Sequence, residues 1–206
     1  KIFGIHNGFK GLIDNIPGDM KKNFIRELGW GKIDAQASGG GADLGTNSTI
    51  PESGEDFDNI AKNLEHYNIK GLMIIGGCSG YKGAYRLIEN HEKHNAFRIP
   101  IVCIPATISL RVPLTEVSIG ADTALNNIVK AVDNIKQAAV GMKRCFITDI
   151  GGHYCGYLAL MSGMATGAER VYLHEFPFNL DTIREDIAYL IKEFKGSRTV
   201  ASIIMN

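Results

Sequence analysis

A doubly wound, mostly parallel α/β sheet is the fold class this sequence predicts. Two observations carry that prediction. Short β-branched apolar runs alternate with longer amphipathic stretches, and three of the runs end in glycine- or proline-bearing turns just before a helical pattern begins. Alternation of this kind builds strand–helix–strand units with helices on both faces of a parallel sheet. Right-handed crossovers then bring the strand C-termini, and any ligand, to one sheet edge.

The elements follow in order. The apolar run at 2–5 predicts a first strand, and the runs at 71–75, 101–104, 145–148, 170–173 and 200–204 predict five more, all buried. Amphipathic spacing predicts helices over 55–67, 79–92, 120–140, 154–166 and 181–195. In the last of these, Asp181, Glu185 and Asp186 place carboxylates near the positive end of the helix dipole. The division of the pattern predicts a larger α/β subdomain over 1–110 and part of a smaller one over 111–206. The first strand has no preceding unit and the chain stops directly after a strand, so the sequence is expected to be incomplete at both ends.

Composition narrows the function. Twenty-two basic side chains balance twenty-two acidic ones, so there is no global positive surplus for nucleic acid. No apolar run approaches the roughly 18–20 residues that span a bilayer, so no membrane partner is expected. Cys78, Cys103, Cys145 and Cys155 are scattered, which suits a cytoplasmic protein better than a disulfide framework, and Cys103 and Cys145, inside apolar runs, are expected to be buried thiols.

Four segments could carry chemistry. In Gly76-Gly77-Cys78-Ser79-Gly80 a strand ends in paired glycines. That turn either lets a phosphate approach the backbone at a helix start or serves close packing. The loop Pro105-Ala106-Thr107-Ile108-Ser109-Leu110-Arg111-Val112-Pro113 offers two hydroxyls and an arginine, and reads either as a ligand loop or as a rigid connector. Gly151-Gly152-His153 repeats the strand–glycine–helix arrangement, with Arg144 one strand-length earlier. His153 could contact an anion or be structural. Gly39-Gly40-Gly41 through Ser48 reads as a flexible surface loop. Three such junctions on one edge favour a small phosphate-bearing ligand.

Taken together, these segments resemble the phosphofructokinase family along nearly the whole chain. The specific signals are the Pro105-Ala106-Thr107 turn and the Asp122-Thr123-Ala124-Leu125-Asn126 string; Ser118 to Asn126 matches the family's long-helix start, and Tyr154-Cys155-Gly156-Tyr157-Leu158 resembles the helix after its second glycine pair. The resemblance implies which residues are missing. Active members read GGDGS in the first glycine turn, where an aspartate helps hold magnesium, and this chain has Cys78. They read TIDND in the second loop; Ser109 stands where the base would be and Arg111 where a second magnesium carboxylate would be. Ser48 stands where an arginine would meet the ATP phosphates. A serine hydroxyl is not basic enough near neutral pH to replace that base, and a guanidinium repels a metal ion.

The resemblance therefore implies the C-terminal, regulatory half of an ATP-dependent 6-phosphofructokinase of the eukaryotic type. Such a half has no cofactor of its own, while magnesium and ATP belong to the catalytic half. It implies an effector such as fructose 2,6-bisphosphate bound by Thr107, Ser109, Arg144, Gly151, Gly152 and His153. Arg144 would reach a neighbouring site across a subunit interface. It further implies partnership with a catalytic half in a homo- or hetero-oligomer. Regulatory halves usually carry two asparagines where this chain has Leu110 and Arg111, and a glycine where it has Leu114. A scaffold-only half and an atypical active half are the competing expectations.

Overall fold

The computed structural model describes residues 1–31, 39–152 and 154–206. They form two compact units, Lys1–Ile104 and Pro105–Asn206.

In the first unit, strand β1 (Phe3–Ile5) pairs antiparallel with β2 (Ile25–Glu27), with Gly4 opposite Arg26. Helix α1 (Gly8–Asp14) follows β1 directly. Helix α2 (Gly54–His66) starts at a capping box: the Ser53 hydroxyl accepts from the Asp56 amide, and the Asp56 carboxylate accepts from the Ser53 amide. Its buried residues Phe57, Ile60, Ala61 and Leu64 recur at helical spacing and join Phe9, Leu12, Ile25, Leu72, Leu87 and Phe97 in one core. Each large side chain so buried contributes about 1.5–3 kcal/mol. Two amides knit this core. Asn63 Nδ2 donates to the carbonyls of Leu12 and Asn15, and Asn15 Oδ1 accepts from the amides of Phe24 and Ile25 at 2.8 and 3.0 Å. Strand β3 (Leu72–Gly76) pairs with β4 (Ile101–Pro105) and leads into helix α3 (Cys78–Glu89). A Cβ at Gly83 of α3 would lie 2.1 Å from the Phe9 ring, so only glycine permits this approach to α1.

In the second unit, helix α4 (Ala121–Ala138) precedes a three-stranded parallel sheet of order β5-β7-β6. The strands are β5 (Arg144–Asp149), β6 (Arg170–Tyr172) and β7 (Val200–Met205), linked by helices α5 (Tyr157–Thr166) and α6 (Leu180–Lys195). Arg144 sits opposite Val200 and Asp149 opposite Met205. Ile204 is fully buried with Val132, Ile150, Leu158 and Ala159, while Ala201 and Ile203 pack with Leu190.

The α/β class and all six expected strands are present, but the arrangement differs from one continuous sheet. The described strands fall into an antiparallel pair, a second pair and a parallel triplet. Only β7, at the centre of its triplet, is buried nearly end to end. Met73, Ile75, Val102 and Ile147 are more than half exposed, because β3, β4 and β5 each present one uncovered face. Cys145 is likewise exposed rather than buried, since it lies on β5. Among the described residues, no helix is long and apolar enough to cross a membrane.

Candidate functional site

The first glycine turn lies in the first unit. Strand β3 ends at Gly76, Gly77 caps α3, and Cys78 is the first helical residue. No acidic side chain stands in that first helical turn. Ser48 is exposed in the same unit, in a loop anchored where the Asn7 amide donates to the Leu44 carbonyl at 2.8 Å.

The second unit assembles the other segments. After β4, the Thr107 amide donates to Ser118 Oγ at 2.6 Å, and the Ile119 amide donates to the Pro105 carbonyl. These bonds close the segment between them into a loop with a short neck. Thr107 Oγ1 and Ser109 Oγ are 2.9 Å apart, and the Ser109 amide also donates to Thr107 Oγ1. The two hydroxyls therefore form one polar unit. Leu110 and Leu114 both adopt left-handed backbone, with φ of 45° and 60°. Arg111 is exposed, and its guanidinium carbon lies 5.3 Å from the centroid of the Tyr154 ring.

The Gly151-Gly152 turn follows β5. The Ile150 amide donates to the Met205 carbonyl, and a Cβ at Gly151 would sit 3.9 Å from Ile108 Cδ1. The structure thus places Ile108, between Thr107 and Ser109, beside Gly151. The expectation that this turn opens a helix near 154 is corrected. Helix α5 begins at Tyr157, capped by Gly156, whose amide donates to Glu175 Oε1 at 2.7 Å. That hydrogen bond draws the Glu175 carboxyl below the usual glutamate range. The positive end of α5 already holds the chain's own carboxylate, so the glycine turn does not borrow its dipole.

Arg144 and the glycine turn stand at opposite ends of β5, whose six residues rise roughly 3.3 Å each. Arg144 is exposed at the strand start. His153 lies outside the described residues. Sequence reasoning missed Tyr154, His174 and Glu175. The Tyr154 and His174 rings meet edge to face at 4.9 Å, and the His174 amide donates to Asn206 Oδ1. Nineteen residues separate Glu175 from Gly156, and no local spacing signals such a pairing. Among the described residues, no group of three or more His, Cys, Asp and Glu is placed to hold a metal ion.

The comparisons with known proteins agree on one family. The phosphofructokinase family model matches residues 1–206. The chain is 40% identical over 207 residues to the muscle-type ATP-dependent 6-phosphofructokinases of Sus scrofa and Homo sapiens, and the match covers all of this chain. It covers 25% of each of those proteins, in the C-terminal region of the first. Among solved structures, the Pichia pastoris phosphofructokinase in the T-state superposes with a TM-score of 0.87 at 37% identity, over 98% of this chain and 21% of that one. The pyrophosphate-dependent phosphofructokinase of Marinobacter aquaeolei, at 18% identity, shares the fold with a TM-score of 0.70 over 100% of this chain and 51% of that one. This chain belongs to the phosphofructokinase family, and it spans about a quarter of the length of the curated relatives it matches.

Proposed function

We propose that the chain is part of a cytoplasmic, glycolytic 6-phosphofructokinase and forms its regulatory, non-catalytic half. The whole enzyme converts ATP and fructose 6-phosphate to ADP and fructose 1,6-bisphosphate. This half holds a sugar bisphosphate such as fructose 2,6-bisphosphate. The carrying observation is the loop at 107–111, where Ser109 is tied to Thr107 and Arg111 ends the run.

The donor set does not fit magnesium and ATP. A hard divalent cation takes carboxylate and carbonyl oxygens, and Cys78, Ser109 and Arg111 supply a thiol, a hydroxyl and a cation. Residues 1–110 are the degenerate nucleotide-side subdomain on this reading, and 111–206 are part of the sugar-phosphate side. The Thr107 and Ser109 hydroxyls, the Gly151-Gly152 turn and His153 then face one phosphate-bearing ligand. Arg144 serves the site of a neighbouring subunit, and catalysis belongs to a partner half.

The test is made on the full-length enzyme. A Thr107→Val, Ser109→Ala double variant should weaken fructose 2,6-bisphosphate binding about tenfold or more, since lost hydrogen bonds to a charged group weigh roughly 1.5–3 kcal/mol each. Loss of catalytic turnover together with magnesium binding in the same variant would instead mark an active site. Absence of any bisphosphate binding by the unaltered enzyme would leave a scaffold role.

A further inference from the structure

Ser118 is buried, at 3% exposure, where a hydroxyl needs a partner. Its Oγ accepts the Thr107 amide at 2.6 Å. Ser118 is held in turn by the helix that follows. The Ala121 amide donates to the Ser118 carbonyl at 3.2 Å, Ala121 opens α4, and Val132 of α4 is buried in a core with Ile204. A side chain thus ties the Thr107 backbone to a helix seated in the core. The loop does not need that bond in order to close. The Ile119 amide donates to the Pro105 carbonyl at 3.0 Å and crosses the neck without Ser118. That second bond holds the chain two residues before Thr107 and leaves the Thr107 peptide free to rotate. Fixing the peptide is the work left to Ser118.

The orientation of Thr107 decides what the loop can offer a ligand. A hydroxyl has one proton to donate and two lone pairs with which to accept. Thr107 Oγ1 accepts the Ser109 amide at 3.2 Å and shares a hydroxyl proton with Ser109 Oγ at 2.9 Å. Whichever hydroxyl donates within the pair, one O–H proton of the two is left for a ligand. The pair is therefore a single donor. Both bonds inside it meet at Thr107 Oγ1, so its direction follows the Thr107 backbone. We propose that Ser118 is a positioning residue of this site, holding the Thr107 amide so that the Thr107–Ser109 pair aims its one remaining proton at the phosphate-bearing ligand. The inference rests on the reading of this loop as an effector site and adds a residue that acts on the ligand only through another.

The experiment is equilibrium binding of fructose 2,6-bisphosphate to the full-length enzyme, run as a double-mutant cycle between positions 118 and 107. Ser118→Ala should weaken binding roughly three- to tenfold, and by no more than the Thr107→Val, Ser109→Ala double variant, because it acts only through that pair. Thr107→Val should weaken binding about fivefold when Ser118 is present and less than about twofold in the Ser118→Ala background, since a misaimed hydroxyl has little left to lose. Ser118→Cys, whose sulfur is a weak acceptor, should repeat the Ser118→Ala result. Ser118→Thr keeps the hydroxyl; it should bind within about twofold of the unaltered enzyme and restore the full effect of Thr107→Val.

Ser118→Ala and Ser118→Cys variants that bind like the unaltered enzyme overturn the inference, while the effector site still stands if Thr107→Val weakens binding. Losses at 107 and 118 that multiply independently, within about twofold, also overturn it, because a merely structural defect at Ser118 would not be coupled to the Thr107 hydroxyl. So does a Ser118→Thr variant that binds no better than Ser118→Ala. A Ser118→Ala loss larger than that of the Thr107, Ser109 double variant would mean that the loop had come apart, and the positioning role would fall. No bisphosphate binding by the unaltered enzyme would remove the effector site and this inference with it.

Discussion

Leu110 and Leu114 hold a backbone that leucine resists. A left-handed conformation costs an L-residue roughly 1–2 kcal/mol, and Leu114 is fully exposed, so burial returns nothing for it. The resemblance places a glycine at 114 and an asparagine at 110, both tolerant of this region. Leu114→Asn should therefore raise stability by about 1 kcal/mol, read as a higher denaturant midpoint at unchanged slope. Leu114→Gly should gain less, because glycine adds unfolded-state entropy of roughly 0.5–1 kcal/mol. An unchanged or lower midpoint in both variants would mean that the loop relaxes elsewhere. The sequence made the two departures visible at this scale. It could not show that the backbone there is left-handed, since a φ angle is set by the closure of the whole loop through Thr107, Ser118, Pro105 and Ile119.

Among the elements, α2 owes its start to two side chains. Ser53→Ala should cost about 1 kcal/mol, the usual weight of an N-cap hydroxyl, measured by chemical denaturation. Asp56 gives the same cap a pH dependence. Burial works to raise its pKa, but hydrogen bonds from the Glu52 and Ser53 amides and the Ser53 hydroxyl prevail and leave it lowered. A carboxylate with a depressed folded pKa stabilises the fold above its unfolded value, and that stability is lost as pH falls through the folded one. Acid titration should thus destabilise the unaltered protein below about pH 4 more steeply than an Asp56→Asn variant; parallel curves would deny the cap this role. Long amphipathic helices such as α2 and α4 were legible from spacing. Helix α1 and strand β2 were not: seven residues are too short for a helical period to declare itself, and Ile25-Arg26-Glu27 carries a single apolar residue. Strand β2 depends instead on β1 and on the Asn15 amide, partners 10 to 24 positions away. The start of α5 escaped for a related reason. Its cap comes from Glu175, and the Gly151-Gly152 pair, which looked like the helix opening, precedes a further turn.

For the whole molecule, the proposed role of Arg144 makes binding a property of an assembly. Arg144→Ala should weaken bisphosphate binding about tenfold or more, by loss of a charge-assisted fork. Mixing those subunits with subunits altered at Thr107 and Ser109 should restore part of the binding, because some interfaces then combine an intact loop with an intact Arg144. If each subunit's binding follows its own Arg144, the shared arrangement fails. The division at Ile104 has a consequence in time. Each unit is continuous in sequence and, among the described residues, holds a core of its own. At ribosomal rates of about 5–20 residues per second, the 102 residues of the second unit (206 minus 104) emerge over roughly 5–20 s. Local helix and hairpin formation takes microseconds. The first unit therefore has a long interval on the nascent chain in which to pack Phe9 against Gly83 while the second unit is still being made. A chain stalled after Ile104 has cleared the exit tunnel should already protect α2 and α3 from protease.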